Sequence, residues 1–203
     1  MDWRAYVSLI VAILIIGSYA PYLLEIFGWD IFFRKIPKRS PSLPAWIIFF
    51  SLSLIVWLGM YTKQTLTAQA YASVVGGFVI LMIAFFRGNP VWKVRHFFCL
   101  IGAFAGIWIW RIVGDANAGI VIACSVSLLA VFAMAPELWD KPHHESRLSW
   151  SMAWVGCVLQ LIALQSFTIS SATQAVFAFV GDSIIVAILY ARTHPLSRFK
   201  KKD

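Results

Sequence analysis

Residues 69–90 read QAYASVVGGFVILMIAFFRGNP and decide the fold, because residues 174–195 read QAVFAFVGDSIIVAILYARTHP. Five of the residues that the two stretches share at identical ungapped spacing carry the similarity: Gln69, Ala70, Gly76, Arg87 and Pro90 recur as Gln174, Ala175, Gly181, Arg192 and Pro195. Chance similarity between apolar helices is the alternative, but Gly, Arg and Pro at matched spacing are less easily produced by hydrophobic composition than matched Leu or Ile. The pattern predicts an internally duplicated membrane protein.

The composition excludes an ordinary soluble globular domain. Of the 203 residues, 61% are hydrophobic and only 13% are charged, and the mean hydropathy is strongly positive. A membrane-spanning helix needs about 20 mostly apolar residues. Seven such segments are predicted, so the chain is expected to be an all-α integral membrane protein. They cover residues 7–27, 46–61, 68–86, 97–110, 116–136, 148–167 and 175–191.

The distribution of Lys and Arg predicts the orientation, because cytoplasmic flanks retain positive charge. With the N-terminus outside and the C-terminus in the cytoplasm, only Arg4, Lys63 and Arg111 of the seventeen cations lie outside. The net charge of +8 follows from cations at helix ends, which suits anionic lipid headgroups rather than nucleic acid. This pattern fits a bacterial inner (plasma) membrane.

A cleaved signal peptide is the alternative for the first segment, but Pro21 follows the candidate cut at Ala20 and disfavours cleavage.

A second similarity extends the duplication to the first helix of each half. Residues 20–23, APYL, match residues 135–138, APEL, and Trp46 and Trp150 begin the helices that follow. Helices 1 to 3 therefore correspond to helices 5 to 7. The predicted divisions are a first repeat at 1–92, a single linker helix at 93–114, a second repeat at 115–196 and a basic cytoplasmic tail at 197–203. The linker helix gives both three-helix repeats the same orientation.

This 3+1+3 arrangement, with Ala-Pro late in the first helix of each repeat, resembles the SWEET / PQ-loop (MtN3-like) transporter superfamily, as a distant bacterial-type member. Tyr22 and Glu137 stand where the PQ loop has Gln. The resemblance implies that Pro21, Pro44 and Pro136 act as hinges for rocking of the two bundles. The fourth hinge position, near residues 149–152, has no proline. Pro44 also suits the first turn of an ordinary helix.

Asp182 is the main candidate for the site. It precedes Arg192 by ten residues, which places it about 15 Å deep at about 1.5 Å per residue. A carboxylate near the midplane costs about 2.5 to 3.5 kcal/mol on insertion scales, so we expect it to face the bundle interior or a wet cavity. Its counterpart is Gly77. The resemblance implies Asn at these places for sugar binding, so this departure favours a cationic or zwitterionic substrate, or proton coupling.

Three further side chains are predicted to contact the substrate. Gln160 lies midway along helix 6, where it can donate and accept hydrogen bonds, and is also a candidate partner for Asp182. Ser53 and Trp57 occupy the corresponding region of helix 2, where Trp57 offers a flat aromatic face. For Trp57, simple packing is an equal alternative. Glu137, beside Pro136, is a proton or gate candidate, with charge pairing as the alternative.

No residue pattern predicts an enzyme, a cofactor or a metal site. Cys99, Cys124 and Cys157 fall in three different helices without metal-like spacing, which predicts small buried residues. His143 and His144 are adjacent in a polar loop without nearby Cys.

The predicted function is therefore a transporter that moves a small polar solute, such as a sugar, an amino acid or a vitamin-like molecule, by alternating access, with proton coupling through Asp182. The alternative is a non-transporting receptor or assembly protein on the same seven-helix fold. Contacts between copies in a homo-oligomer fit either function.

Overall fold

The computed structural model describes residues 3–28, 41–140, 142 and 145–193. Within these ranges the chain forms seven α-helices: α1 Trp3–Phe27, α2 Leu43–Thr62, α3 Ala68–Arg87, α4 Val94–Val113, α5 Ala116–Asp140, α6 Arg147–Ala163 and α7 Ile169–Thr193. The basic segment 34–39, Lys141, His143, His144, Pro195 and the predicted tail 197–203 lie outside the described residues.

Six of the seven helices are long and apolar enough to cross a membrane. The prediction of an all-helical integral membrane protein is therefore confirmed at this level. Helix α6 is shorter, at 17 residues. Helix α4 has the character of a lipid-facing helix, since Phe98, Phe104 and Trp108 are each more than two-thirds exposed and are the kind of side chains that lipid solvates.

The α6–α7 connection differs from the prediction, which extended helix 6 to residue 167 and began helix 7 at residue 175. Helix α6 ends at Ala163 because Leu164 leaves the helical conformation. Helix α7 begins earlier because Thr168 and Ser171 form a reciprocal cap: Thr168 Oγ1 accepts from the Ser171 N–H at 3.3 Å, and Ser171 Oγ accepts from the Thr168 N–H at 3.2 Å. The polar residues just before Ala175, which the prediction left out of helix 7, are thus its start.

The helices pack in a defined set of pairs. Helix α1 packs against α3 and α6, while α5 packs against α7 and α2. Helix α3 also contacts α2, and α7 also contacts α6. Helix α4 lies on α5 through small residues: a Cβ atom added at Gly102 would meet Val126 Cγ2 at 2.8 Å, and one added at Gly106 would meet Ile122 Cγ2 at 2.9 Å. Such residues let helices approach closely in lipid.

Candidate functional site

A cavity of about 850 Å³ lies among the helices. All seven helices contribute to its wall, α4 through its first turn. Small-molecule sites commonly have volumes of about 300–1,000 Å³ and combine apolar walls with a few convergent polar groups. This wall follows that pattern, since it combines aromatic and aliphatic side chains with serines, glutamines and the carboxylates of Glu145 and Asp182. The cavity is therefore the candidate site.

One end of the cavity reaches the protein surface. Asn89, Val91 and Lys93, in the α3–α4 connection, line the cavity and are exposed. This rim is tied to the start of α2, because the Leu43 N–H donates to the Asn89 carbonyl at 3.0 Å and the Asn89 N–H donates to the Pro41 carbonyl at 2.8 Å. The opening thus lies at the start of α2 and the end of α3.

The opposite end of the cavity is closed. Gln69, Cys124 and Gln174 line it there and are all buried. Thr67, the N-cap of α3, donates its hydroxyl hydrogen to Gln174 Oε1 at 3.3 Å and so joins α3 to α7. In the described part of the chain, the cavity therefore has an exposed rim at one end and buried side chains at the other.

A chain of hydrogen bonds crosses the deep part of the cavity. Gln69 Nε2 donates to Cys157 Sγ at 3.3 Å, and the Cys157 thiol donates to Asp182 Oδ2 at 3.3 Å. The three residues come from α3, α6 and α7 and all line the cavity. Gln69 Oε1 is buried and has no hydrogen-bond partner among the described residues. Acceptors therefore remain available at this end of the cavity.

An aromatic wall flanks these polar groups. It consists of Tyr19, Tyr22, Trp46 and Phe49, all of which line the cavity. The Trp46 ring centroid lies 6.4 Å from that of Tyr19, 5.7 Å from that of Tyr22 and 6.1 Å from that of Phe49. The wall can stack on a flat ligand or attract a cation.

The mouth of the cavity is mainly basic. Lys93, Arg95 and His96 line it, with Glu145 as the acidic side chain at this end. Glu145 Oε2 accepts a hydrogen bond from the Trp150 indole at 2.9 Å. Among the described residues of the wall, the Lys, Arg, Asp and Glu side chains therefore change from mainly basic at the mouth to the acid Asp182 in the deep part.

Of the four residues predicted to contact substrate, Asp182 and Ser53 line the cavity. Asp182 lies near the middle of α7. Gln160 is buried, at 3% exposure, but it does not line the cavity, and within the described ranges no hydrogen bond joins it to Asp182. Trp57 packs on Tyr61 with ring centroids 5.6 Å apart, also away from the cavity. The structure thus brings Asp182 together with Cys157 rather than with Gln160.

The prolines that the resemblance implies as hinges occupy two kinds of position. Pro21 and Pro136 lie inside α1 and α5, where each removes a backbone donor from the helix. Pro44 lies in the first turn of α2, after the N-cap Ser42, where proline disturbs no helical hydrogen bond. The side chain of Glu137, the gate candidate, lies outside the described residues.

One of the three cysteines, which the sequence predicted to be small buried residues, belongs to the site. Cys99, Cys124 and Cys157 are all buried, which confirms that prediction. Cys157 nevertheless connects Gln69 to Asp182. A signal for it was present in the sequence, because Cys157 follows Trp150 by seven residues, as Ser53 follows Trp46.

Gln69 and Gln174 were also missed as site residues, although both line the cavity. Their signal was that they form a matched polar pair within the duplicated apolar stretch.

As for metals, no group of three or more His, Cys, Asp or Glu side chains in the described parts of the chain could hold an ion.

Comparison of the chain with protein-family models, with curated proteins and with solved structures finds no match.

Proposed function

We propose that this protein is a membrane transporter that moves a small polar solute by alternating access. The observation that carries the proposal is the position of Asp182 near the middle of α7, in the wall of a cavity with an exposed rim at one end and, among the described residues, buried side chains at the other. A carboxylate inside a membrane-spanning helix marks a substrate, ion or proton site by default. A one-mouthed cavity ending near such a group is what one state of an alternating-access carrier requires.

The helix pairs support a SWEET-like 3+1+3 arrangement. If helices 1, 2 and 3 are exchanged for helices 5, 6 and 7, the pair α1–α3 becomes α5–α7, α2–α3 becomes α6–α7, and α1–α6 becomes α5–α2. All six of these pairs are in contact. Helix α4 stands outside the exchange and packs on α5 and α2. Such packing is expected for two repeats in the same orientation, joined by a linker helix.

The capping residues support the same correspondence. Ser42 caps α2 by accepting from the Ala45 N–H at 3.5 Å, and Ser146 caps α6 by accepting from the Ser149 N–H at 3.4 Å. The two serines precede Trp46 and Trp150 by the same four residues. Helices 2 and 6 thus begin in the same way in both proposed repeats.

The orientation we propose places the mouth of the cavity in the cytoplasm of a bacterial cell. Arg87 and Arg192 both lie in the last turn of their helices, at the same end as Lys93 and Arg95, so these cations agree with the positive-inside rule. The cavity then corresponds to an inward-open state. Opening to the outside would require the Thr67–Gln174 contact between α3 and α7 to separate.

Asymmetry between the proposed repeats gives Asp182 a distinct role. Its counterpart Gly77 also lines the cavity but carries no side chain, so one half supplies a carboxylate and the other supplies space. We propose that Asp182 binds substrate or carries the coupling proton. Ser53 contributes a hydroxyl group to the same wall, and Pro21 and Pro136 permit the rocking.

Uptake into proteoliposomes tests this function. Small sugars, amino acids and vitamins would be screened with and without a pH gradient, using wild type, Asp182→Asn and, as a matched acid-to-amide control, Asp115→Asn. Asp115 lies in the short α4–α5 connection, away from the cavity. We expect uptake by wild type and by Asp115→Asn, and loss of its pH dependence in Asp182→Asn.

Absence of uptake for every solute by folded protein would contradict transport. It would favour the receptor or assembly function on the same fold.

A further inference from the structure

We infer that the deep part of the cavity binds a monovalent organic cation that carries several N–H donors, such as an amidine, a guanidine or a primary amine, on a flat or apolar body. This inference rests on the proposed function and narrows its substrate class. It follows from three features of the deep cavity: acceptors that remain unpaired, a carboxylate without a cationic partner, and the aromatic wall.

The first feature is the direction of the hydrogen bonds through Cys157. Gln69 donates an amide hydrogen to Cys157 Sγ, and Cys157 donates its thiol hydrogen to Asp182 Oδ2. Gln69 Oε1 is left buried without a partner, and no hydrogen bond from the described residues reaches Asp182 Oδ1. Both remaining groups accept hydrogen bonds, so the site calls for a ligand with donors. Buried polar groups are normally paired, so Gln69 Oε1 and Asp182 Oδ1, without protein partners in the described part of the cavity, are available to the donors of a ligand.

The second feature is the charge of the deep cavity. Within the described part of the chain, no Lys or Arg forms an ion pair with Asp182. The cations of the wall, Lys93 and Arg95, lie at the mouth, where water and salt screen charges over about 8 Å. A buried carboxylate is stabilised by an opposite charge with hydrogen-bond donors. A cationic ligand supplies both.

The third feature is the aromatic wall of Tyr19, Tyr22, Trp46 and Phe49. The rings of Tyr19, Tyr22 and Phe49, with centroids 5.7 to 6.4 Å from that of Trp46, form an aromatic surface in the same cavity as Asp182. Aromatic faces attract cations and stack on flat groups. A planar cation can therefore pack its body on the wall and direct its N–H groups to Asp182 and Gln69.

Three probes of similar size separate these features. Benzamidine has the ring, the charge and the N–H donors. Benzamide has the ring and N–H donors but no charge, and phenyltrimethylammonium has the ring and charge but no N–H donors. Binding of each would be measured by isothermal titration calorimetry on the full-length protein in lipid nanodiscs. Asp182→Asn and Gln69→Met would test the two acceptors, with Asp115→Asn as the control.

We expect benzamidine to bind wild type and Asp115→Asn about tenfold or more tightly than either other probe, because charge and donors act together. Asp182→Asn should weaken benzamidine binding by about tenfold or more, and Gln69→Met by a smaller factor. Equal binding of benzamide and benzamidine would overturn the requirement for charge. Equal binding of phenyltrimethylammonium and benzamidine would overturn the requirement for N–H donors.

The outcome is distinguishable from that of the transport proposal. Benzamidine binding that depends on Asp182, without uptake of any organic cation into liposomes, would keep the site and overturn transport. Uptake of neutral solutes by protein that does not bind benzamidine would keep transport and overturn the cation site. If Asp182→Asn unfolds, its melting curve shows it. Gln69→Met then tests the site through the acceptor on a second helix, α3.

Discussion

The ring of Tyr19 packs directly against the backbone of Gly76, so that a Cβ atom added at Gly76 would overlap Tyr19 Cε2. The next residue, Gly77, differs: a Cβ atom there would meet Phe50 Cδ2 at 3.8 Å, an ordinary contact. Both glycines lie inside α3 and would gain similar helix propensity as alanine. They form a matched pair in which only one substitution displaces the aromatic wall of the cavity.

Replacing Gly76 by Ala is expected to destabilise the protein by about 1–3 kcal/mol through overpacking and to weaken benzamidine binding by moving Tyr19. Gly77→Ala should keep stability close to that of wild type, because its added Cβ atom makes only an ordinary contact. Thermal unfolding and titration calorimetry in nanodiscs measure the two effects. The same loss in both variants would show that Tyr19 and Gly76 have no special contact.

The two kinds of proline position predict different effects on transport. Pro21→Ala restores a backbone N–H that can donate to the Gly17 carbonyl one turn earlier. We expect a raised melting temperature and slower uptake, because α1 would lose its bending point. Pro44→Ala lies in the first turn, so uptake should remain close to that of wild type.

The comparison uses rates of uptake and melting temperatures measured on the same preparations. Slow uptake in Pro44→Ala, with Pro21→Ala unchanged, would place the hinge in α2 and contradict the assignment to α1.

Much of the fold could be predicted from hydrophobicity alone. Long apolar runs, such as the one in residues 69–90, have one stable solution in lipid, since their backbone groups must be paired within a helix. The largest difference was at the start of α7. There, the side chain of each of Thr168 and Ser171 accepts a hydrogen bond from the backbone N–H of the other. A count of apolar residues does not detect this helix cap.

The site could be predicted only in part. The sequence identifies residues whose placement in a membrane costs free energy, but it does not show which of them lie on the helix face that lines the cavity. Asp182 was identified since a carboxylate in an apolar run is costly, and it does line the cavity. Gln160 is equally polar and equally central, yet its side chain points away from the cavity. The role of Cys157 depends on the rotation of α6 against α3 and α7, which is a product of packing.

An exposed ion pair predicts a small pH dependence of stability. Lys63 Nζ lies 2.8 Å from Asp115 Oδ1 and joins the α2–α3 connection to the α4–α5 connection. Hydrogen bonding from Lys63, followed by that from the Asn117 N–H, lowers the pKa of Asp115 below its ordinary value. A lowered folded-state pKa stabilises the protein above the ordinary value of about 4, and this contribution is lost as the pH falls through the lowered value.

Lys63→Gln is expected to raise the pKa of Asp115 towards its ordinary value and to lower the melting temperature slightly at neutral pH. The change should be small, because both side chains are about 40% exposed and water screens exposed pairs. Melting curves from neutral pH down to acid pH measure the difference between the two proteins. It should shrink towards the acid end, and a difference that is constant over the series would contradict this coupling.

The orientation predicts which connections face the cytoplasm. Asn89 and Lys63 are both exposed and lie at opposite ends of α3. In a background with Cys99→Ala, Cys124→Ala and Cys157→Ser, Asn89→Cys should react with a membrane-impermeant maleimide from the cytoplasmic side only. Lys63→Cys should react from the outside only. Reaction of both from the same side would contradict the crossing of α3.

Accessibility of Ser73 from the two sides of the membrane tests alternating access most directly. Ser73 lines the cavity and is half-buried, and Ser73→Cys in the same background places one thiol inside it. Cys157→Ser retains a hydroxyl that can take the place of the thiol between Gln69 and Asp182. Asn89→Cys and Lys63→Cys serve as one-sided controls. We predict that the maleimide modifies Ser73→Cys from the cytoplasm and, in a separate reaction, from the outside. Modification from the cytoplasm alone, with or without solute, would show a permanent dead-end pocket and contradict transport.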